Sequence, residues 1–195
     1  MALPELKQSA TEARLAAMEL PQGGCLKDAR MAALSRVQTM GLPTRRDEYW
    51  KYTRPDTLVS SEANTAAVFE SDEAPMFDGQ DRLKIVFVDG VFNAEASDDL
   101  LLEGVQIDRI EDICCKDIHW AKDVYGVLEA RGQSPVQRPL AALNTAFAAD
   151  GVAIHITGTP SKPINLIYIH ADEASDALLH HVIRVEPGAE ATILE

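Results

Sequence analysis

The chain has 195 residues, and its 46% hydrophobic content is enough to bury an ordinary core in one or two domains. Its 31 Asp and Glu residues outnumber its 18 Lys and Arg residues, and the formal net charge of -13 argues against nucleic acid or an anionic membrane as the main partner. The three cysteines lack a CxxC spacing, which excludes an encoded disulfide framework or thiolate zinc site.

The N-terminal stretch MALPELKQSATEAR lacks the basic and apolar regions of a secretory signal. No stretch of the sequence approaches the roughly 18 apolar residues of a membrane-spanning helix. We therefore expect a cytoplasmic protein without a membrane partner. Helical spacing over residues 4–20, and again in LKDARMAALSRVQTM, predicts two helices joined by a Gly-rich turn, with Gly41 ending the second helix.

The next segment, GLPTRRDEYWKYT at residues 41–53, is unusually rich in aromatic and charged side chains. Tyr49, Trp50 and Tyr52 follow Arg45 and Arg46, although aromatic residues make up only 6% of the chain. Aromatic side chains interleaved with cations suit a nucleic-acid platform, a ligand-binding site or a buried anchor between parts of a fold. The segment alone does not decide between these alternatives.

Residues 56–81 are acidic and weakly patterned, and they predict a mobile connection. The stretch LKIVFVDGVFNAE predicts a β-hairpin near residues 83–94, because Asp89 and Gly90 both accept the positive φ of a tight turn. Two further helices are predicted, one over DIHWAKDVYGVLEA and one over RPLAALNTAFAADG, with Pro139 in the first turn of the latter.

From Gly151 onward the apolar pattern has a period of two residues, which predicts four short strands of a β-sandwich, barrel or solenoid. The last predicted strand, around Ala191 to Leu194, has no successor to cover its edge. We therefore expect the 195 residues to be the front part of a longer protein.

The candidate chemical groups do not define a reaction. Four histidines in the strand-rich region suit a cupin-like metal-dependent enzyme, but His180 and His181 are adjacent and would point to opposite faces of a strand. No Gly-rich phosphate loop or nucleophile elbow is present. We predict no catalytic, cofactor-binding or metal-binding residue, and we keep the cupin-like enzyme and a β-rich protein-binding module as alternatives.

Two stretches resemble a known family. GLPTRRDEYWKYT and LAALNTAFAADGVAIHI are similar to the N-terminal portion of the SufD branch of the SufB/SufD iron-sulfur cluster assembly scaffolds. The resemblance spans residues 25–195. It implies an α+β fold: a helical and mixed N-terminal region over residues 1–148, with the hairpin, followed over residues 150–195 by the truncated start of a right-handed parallel β-helix (β-solenoid) core.

The resemblance also implies a function. It implies a non-enzymatic, cytoplasmic scaffold subunit of the SUF system that assembles with a SufB-like subunit and a SufC-like ATPase, the latter through a C-terminal part absent here. The nascent iron-sulfur cluster, and the reduced flavin that has been associated with such complexes, would lie on the full complex and not on this region. No catalytic residue is carried over. In this setting Trp50 and Tyr52 are expected to pack as anchors while Arg45 and Arg46 pair at the rim, with a partner contact as the alternative.

Overall fold

The computed structural model describes residues 3–62, 65–68 and 76–195. The chain divides into two units, and each unit combines two separate stretches of sequence. The first unit comprises Met1–Asn64 and Glu111–Ala149, and the second comprises Thr65–Ile110 and Asp150–Glu195. The domain boundary predicted between residues 148 and 150 stays a prediction. The connection predicted over residues 56–81 lies partly outside the described residues.

The helices of the described residues are concentrated in the first unit. In chain order they are α1 (Glu5–Ala16), α2 (Lys27–Met40), α3 (Asp56–Val59), α4 (Ile110–Ile113), α5 (Val127–Arg131) and α6 (Pro139–Phe147), with 3₁₀ turns at Glu48–Trp50 and Trp120–Asp123. None of the described helices is both long and apolar enough to cross a lipid bilayer.

The core of the first unit lies where α2 packs against α6. Small and medium side chains on the two helices are buried there, among them Ala33, Val37, Leu143 and Ala146. Small side chains let two helices approach closely, so the contact excludes water efficiently. Gly41 follows the last residue of α2 with a φ of 64°, a backbone conformation that favours glycine, as the sequence predicted.

The strands form two sheets in the second unit. They are β1 (Leu83–Val88), β2 (Val91–Phe92), β3 (Val105–Arg109), β4 (Val152–Ile156), β5 (Ile164–Ile169), β6 (Val182–Val185) and β7 (Ile193–Leu194). The strand order is β2-β1-β5-β7 in one sheet and β3-β4-β6 in the other. Alternate apolar residues of β1, β4 and β5 share one buried cluster that includes Ile85, Phe87, Ile154 and Leu166. This cluster is the core of the second unit.

The predicted hairpin is present. β1 and β2 pair antiparallel, with Phe87 opposite Phe92, and the turn residues Asp89 and Gly90 have φ values of 49° and 83°. Positive φ at both turn positions gives the chain the twist that two hairpin strands need. Asp89 also accepts hydrogen bonds from the backbone N–H groups of Ala171 and Asp172, which fix the turn further.

The prediction of a parallel β-helix is wrong. Within the described residues both sheets are mixed: β1 pairs antiparallel with β2 and parallel with β5, whereas β3 pairs antiparallel with β4 and β4 parallel with β6. Of the strands after residue 150, β4 pairs with β3 and β5 with β1, while β6 pairs with β4 and β7 with β5. The antiparallel strands β2 and β3 make each sheet mixed, so neither is the all-parallel sheet of a β-helix. A period of two shows that a segment is a strand, but it does not identify the strand's neighbours.

Candidate functional site

The aromatic segment, residues 41–53, is organised in the structure by a turn at Thr44–Asp47. The Asp47 carboxylate accepts a hydrogen bond from the Thr44 backbone N–H at 2.7 Å, and the Asp47 N–H donates to the Thr44 carbonyl at 3.0 Å. Short polar side chains that bond the nearby backbone favour turns over regular helix or strand. A 3₁₀ turn, Glu48–Trp50, follows directly and carries two of the three aromatic rings.

Asp47 also ties the aromatic segment to α1. The Lys7 ammonium lies 3.1 Å from the Asp47 carboxylate, and the two side chains are 16% and 40% exposed. Burial alone would raise the pKa of the Asp47 carboxyl, but the hydrogen bonds from Thr44 and Lys7 together lower it. The carboxylate therefore stays charged in the neutral range and holds the turn in place.

The structure places the predicted site residues at different depths. Tyr52 is 91% exposed and Tyr49 72% exposed, whereas Trp50 is half-buried. Arg45 and Arg46 are exposed, and neither forms an ion pair with another described residue. The Tyr52 ring contacts only the Lys51 ammonium, 5.3 Å from the ring centroid, among the described cations. Tyr52 is thus not packed as an anchor within the first unit. The role of four residues as an anchor or contact motif stays a prediction: Trp50, Tyr52, Arg45 and Arg46.

Two open grooves flank Trp50 and share it as a wall together with Tyr49. One has a volume of about 400 Å³ and reaches Lys7 and Asp47. The other has a volume of about 550 Å³ and extends along the start of α6. The facing wall of both grooves is Val136, Gln137 and Pro139. This facing wall was not predicted from the sequence. The available signal was the pair of prolines in SPVQRP, which keeps these residues out of a helix until α6 begins.

This arrangement can bind but does not present a reaction centre. Its walls are aromatic, proline and valine surfaces, with Asp47 and exposed Glu48 at the rim. Half-exposed rings beside such apolar walls are typical of surfaces that receive a peptide segment of another protein. The charged residues of the aromatic segment supply no acid and base that share a substrate position.

The histidines are engaged in hydrogen bonds in the second unit. The His155 imidazole lies 2.7 Å from the Glu186 carboxylate, and this bond lowers the pKa of that carboxyl. The His181 Nδ1 atom accepts a hydrogen bond from the Val152 N–H at 3.1 Å. Across residues 3–62, 65–68 and 76–195, no group of three or more His, Cys, Asp or Glu side chains is arranged to hold a metal ion.

Comparisons with known proteins agree with the resemblance read from the two sequence motifs. The family described as "SufBD protein N-terminal region" matches residues 12–164. The chain is also 26% identical over 169 residues to the iron-sulfur cluster assembly protein SufD of Escherichia coli (strain K12). The aligned region covers 83% of this chain and 37% of that relative, so the chain spans little more than a third of the relative's length. The chain therefore belongs to the SufBD family, which it matches through the family's N-terminal region.

Proposed function

We propose that the protein acts in iron-sulfur cluster assembly as a non-enzymatic scaffold subunit, in the cytoplasm, together with a SufB-like subunit and a SufC-like ATPase. The observation that carries the proposal is the family match over residues 12–164, supported by the similarity to a protein named for iron-sulfur cluster assembly. ATP hydrolysis would reside in the SufC-like partner. The nascent cluster, and reduced flavin where it takes part, would lie on the complex and not on this region.

The aromatic segment is proposed as a contact of this assembly. Tyr49 and Tyr52 are exposed, and both grooves beside Trp50 are open to a partner. Aromatic rings contribute strongly to protein interfaces, because they bury much apolar surface on binding at a small cost in side-chain conformational entropy. Arg45 and Arg46, both exposed, would supply the charged rim of the same contact.

Co-expression tests the assembly. The tagged chain is produced with the SufB-like and SufC-like proteins of its own organism, and the purified complex is loaded anaerobically with iron and sulfide. We expect a complex that contains the chain and transfers a cluster to an apo-ferredoxin faster than the SufB-like and SufC-like proteins do alone. If neither protein co-elutes with the chain, and the transfer rate does not depend on the chain, the proposal is wrong.

A pair of variants tests the contact. Tyr52→Ala should weaken binding to the SufB-like protein by about tenfold or more, as expected for an aromatic interface residue. The matched control is Leu128→Ala, because Leu128 is 81% exposed and belongs to the same unit. The control should bind as the parent does. Equal binding by the parent and the Tyr52 variant in titration calorimetry would remove Tyr52 from the contact and leave the assembly proposal standing.

A further inference from the structure

A buried arginine in the first unit faces a cysteine. Arg30, on α2, is only 1% exposed, and its Nη2 group donates a hydrogen bond to the Cys114 Sγ atom at 3.3 Å. The guanidinium carbon lies 5.7 Å from the centroid of the Tyr125 ring. The Nε and Nη1 groups of Arg30 have no hydrogen-bond partner among the described residues, and no described carboxylate pairs with this guanidinium. Within the part of the chain that the structure describes, the buried cation therefore lacks an anion.

The position of Cys114 beside Arg30 is held by a tight backbone contact. The Cys25 N–H donates to the Lys116 carbonyl at 2.8 Å, which joins the loop before α2 to the turn after α4. Gly24 has a φ of 60°, and a Cβ atom there would lie 2.0 Å from the Cys114 carbonyl oxygen. Only glycine fits at that distance, so the loop sequence itself brings Cys114 to the guanidinium.

The chemistry of this pair favours a negative charge on an oxidised sulfur, but not on the resting thiol. Arginine stays protonated in proteins, and a buried charge without a partner is costly. Burial raises the pKa of the Cys114 thiol, and the nearby Arg30 cation opposes that rise. The resting thiol is thus neutral near pH 7, whereas a sulfur oxyanion at the same place would accept hydrogen bonds from Nη2 and from one of the two donors that Arg30 leaves unused. Such an anion would be stabilised by a charge-assisted bidentate contact.

We propose that Cys114 is an oxidation site for hydrogen peroxide and that Arg30 holds the anionic sulfur product. The thiol first loses its proton to solvent. The thiolate sulfur then attacks one peroxide oxygen, the O–O bond breaks, and the leaving hydroxide takes the proton of the new S–OH group to form water. Sulfur is oxidised by two electrons to a sulfenate and peroxide is reduced. A second peroxide adds another oxygen in the same way and gives a sulfinate, with a second water as product.

The other two cysteines serve as internal controls. Cys25 is 7% exposed, and its thiol faces the Ile113 carbonyl at 3.9 Å. Cys115 is exposed, but its thiol faces the Glu111 carbonyl at 3.8 Å. Arg30 makes its side-chain hydrogen bond, among the described residues, only to Cys114. If exposure alone controlled oxidation, Cys115 would react before Cys114.

The first experiment needs no oxidant. Cys114→Asp places a carboxylate where the sulfinate would form, and Cys114→Asn provides a neutral side chain of nearly the same shape. We expect the unfolding midpoint of the full chain to lie about 4 °C or more higher in the Asp variant than in the Asn variant. One charge-assisted hydrogen bond gives a shift of this size in a chain of this length. An Asn variant that is equally or more stable overturns the proposal, because a buried carboxylate without a cation is destabilising.

The second experiment measures oxidation by peptide mass spectrometry. In Cys115→Ser protein treated with hydrogen peroxide, the sulfinate should accumulate on Cys114 about tenfold more than on Cys25, because among the described contacts Cys114, unlike Cys25, has a charged donor to hold the product. The unfolding midpoint should rise as Cys114 becomes oxidised. In the parent protein, which keeps all three cysteines, preferential oxidation of Cys115 contradicts the proposal. An unfolding midpoint that falls as the oxidised fraction of Cys114 rises contradicts it too. Both readouts are independent of any SufB-like or SufC-like partner.

A change at Arg30 completes the test. In an Arg30→Met background the difference between the Cys114→Asp and Cys114→Asn variants should disappear, because the cation is gone. If Arg30→Met does not fold, Arg30→Lys keeps the charge but lacks the planar fork, and the difference should shrink. A difference that persists unchanged with either residue at position 30 would show that another group holds the anion, and the assignment to Arg30 would be wrong.

Discussion

The aromatic residues of the two units lie in opposite environments. In the second unit Phe87 is 1% exposed and packs against Phe92, Tyr168 and His181, with ring centroids 6.1, 6.1 and 5.4 Å away. In the first unit three aromatic residues lie close together in the sequence, Tyr49, Trp50 and Tyr52. Two of them, Tyr49 and Tyr52, are mostly exposed. Residues that are close in sequence fan out around a short helical turn, whereas strands bring distant residues onto one face. Contiguity in sequence is therefore poor evidence for an aromatic core.

Two arginines, one in each unit, also differ in their partners. Arg109 in the second unit lies 3.0 Å from the Asp150 carboxylate and 4.7 Å from the centroid of the Phe92 ring. Arg30 in the first unit has a tyrosine ring and a thiol in the corresponding places. An ion pair with further hydrogen bonds compensates the cost of burying charge, and a thiol compensates less of it. The Arg109–Asp150 pair should consequently tolerate less change than the Arg30 site does.

The largest effect is expected for Phe87→Ala. Removal of a fully buried ring that three other rings contact should reduce the free energy of unfolding by about 3–5 kcal/mol. Tyr52→Ala removes a 91% exposed ring and should stay within about 0.5 kcal/mol of the parent. Urea denaturation followed by circular dichroism measures both values. Similar losses in the two variants would contradict the contrast between a packed and an exposed aromatic cluster.

The next effect is expected for Asp150→Asn. The Asp150 carboxylate accepts hydrogen bonds from Arg109 at 3.0 Å, from the Phe92 N–H at 2.9 Å and from the Gly151 N–H at 2.8 Å. An amide has one acceptor oxygen instead of two, so at least one of these donors loses its partner, and Arg109 loses its counter-charge. We expect a loss of about 2–3 kcal/mol, below the range for a fully buried pair because Arg109 is 22% exposed.

A matched control for this charge is Asp81→Asn. Asp81 pairs with Lys162 at 3.5 Å in the same unit, but its side chain is 88% exposed. Exposed pairs contribute about 0–1 kcal/mol, so the control should unfold nearly as the parent does. If the two Asn variants lose the same free energy, burial of Asp150 is not the cause of its contribution.

The smallest effect is a pH dependence at His181. Burial lowers the pKa of this imidazole from 6.5, against the opposing carboxylates Glu195 and Asp150. The neutral ring is also required because Nδ1 accepts the Val152 N–H. Below about pH 6.5 the unfolded chain binds a proton that the folded chain does not. The free energy of unfolding should therefore decrease as the pH is lowered from about 6.5 to the folded pKa. This loss of stability should be smaller than that caused by Phe87→Ala or by Asp150→Asn.

His181→Asn tests this dependence, since the amide oxygen of asparagine lies where Nδ1 does and can accept the Val152 N–H but does not titrate near neutral pH. The free energy of unfolding, measured between pH 7 and pH 5, should fall less steeply in the variant than in the parent. Identical slopes in parent and variant would assign the pH dependence to other groups.

Local signals allowed much of the fold to be predicted. Gly41 after α2, Pro139 at the start of α6 and the Asp89-Gly90 turn are each set by backbone constraints that one or two residues impose. The predicted β-helix was wrong because strand pairing is a long-range property. Leu83 is placed beside Ile164, and no sequence pattern near either residue indicates the other.

The candidate site was predicted only in part. The composition of residues 41–53 singled out the aromatic segment, but the exposure of Tyr52 depends on what the rest of the first unit covers. The facing groove wall, and the pair formed by Arg30 and Cys114, join residues that are far apart in the chain, 84 positions in the latter case. An arginine on a helix is usually solvated, so the sequence contains no sign that this one is buried.

The pairing of β1 with β5 also has a consequence for the growing chain on the ribosome. Arg82 and its hydrogen-bond partner Asn165, at the start of this pair, are 83 residues apart. At a synthesis rate of about 5–20 residues per second, β1 waits roughly 4 to 17 seconds before β5 is made. During that time β2 covers one edge of β1, while its other edge stays unpaired and apolar. Nascent chains of this protein should therefore depend on holdase chaperones that recognise Leu83–Val88 until translation has passed residue 169.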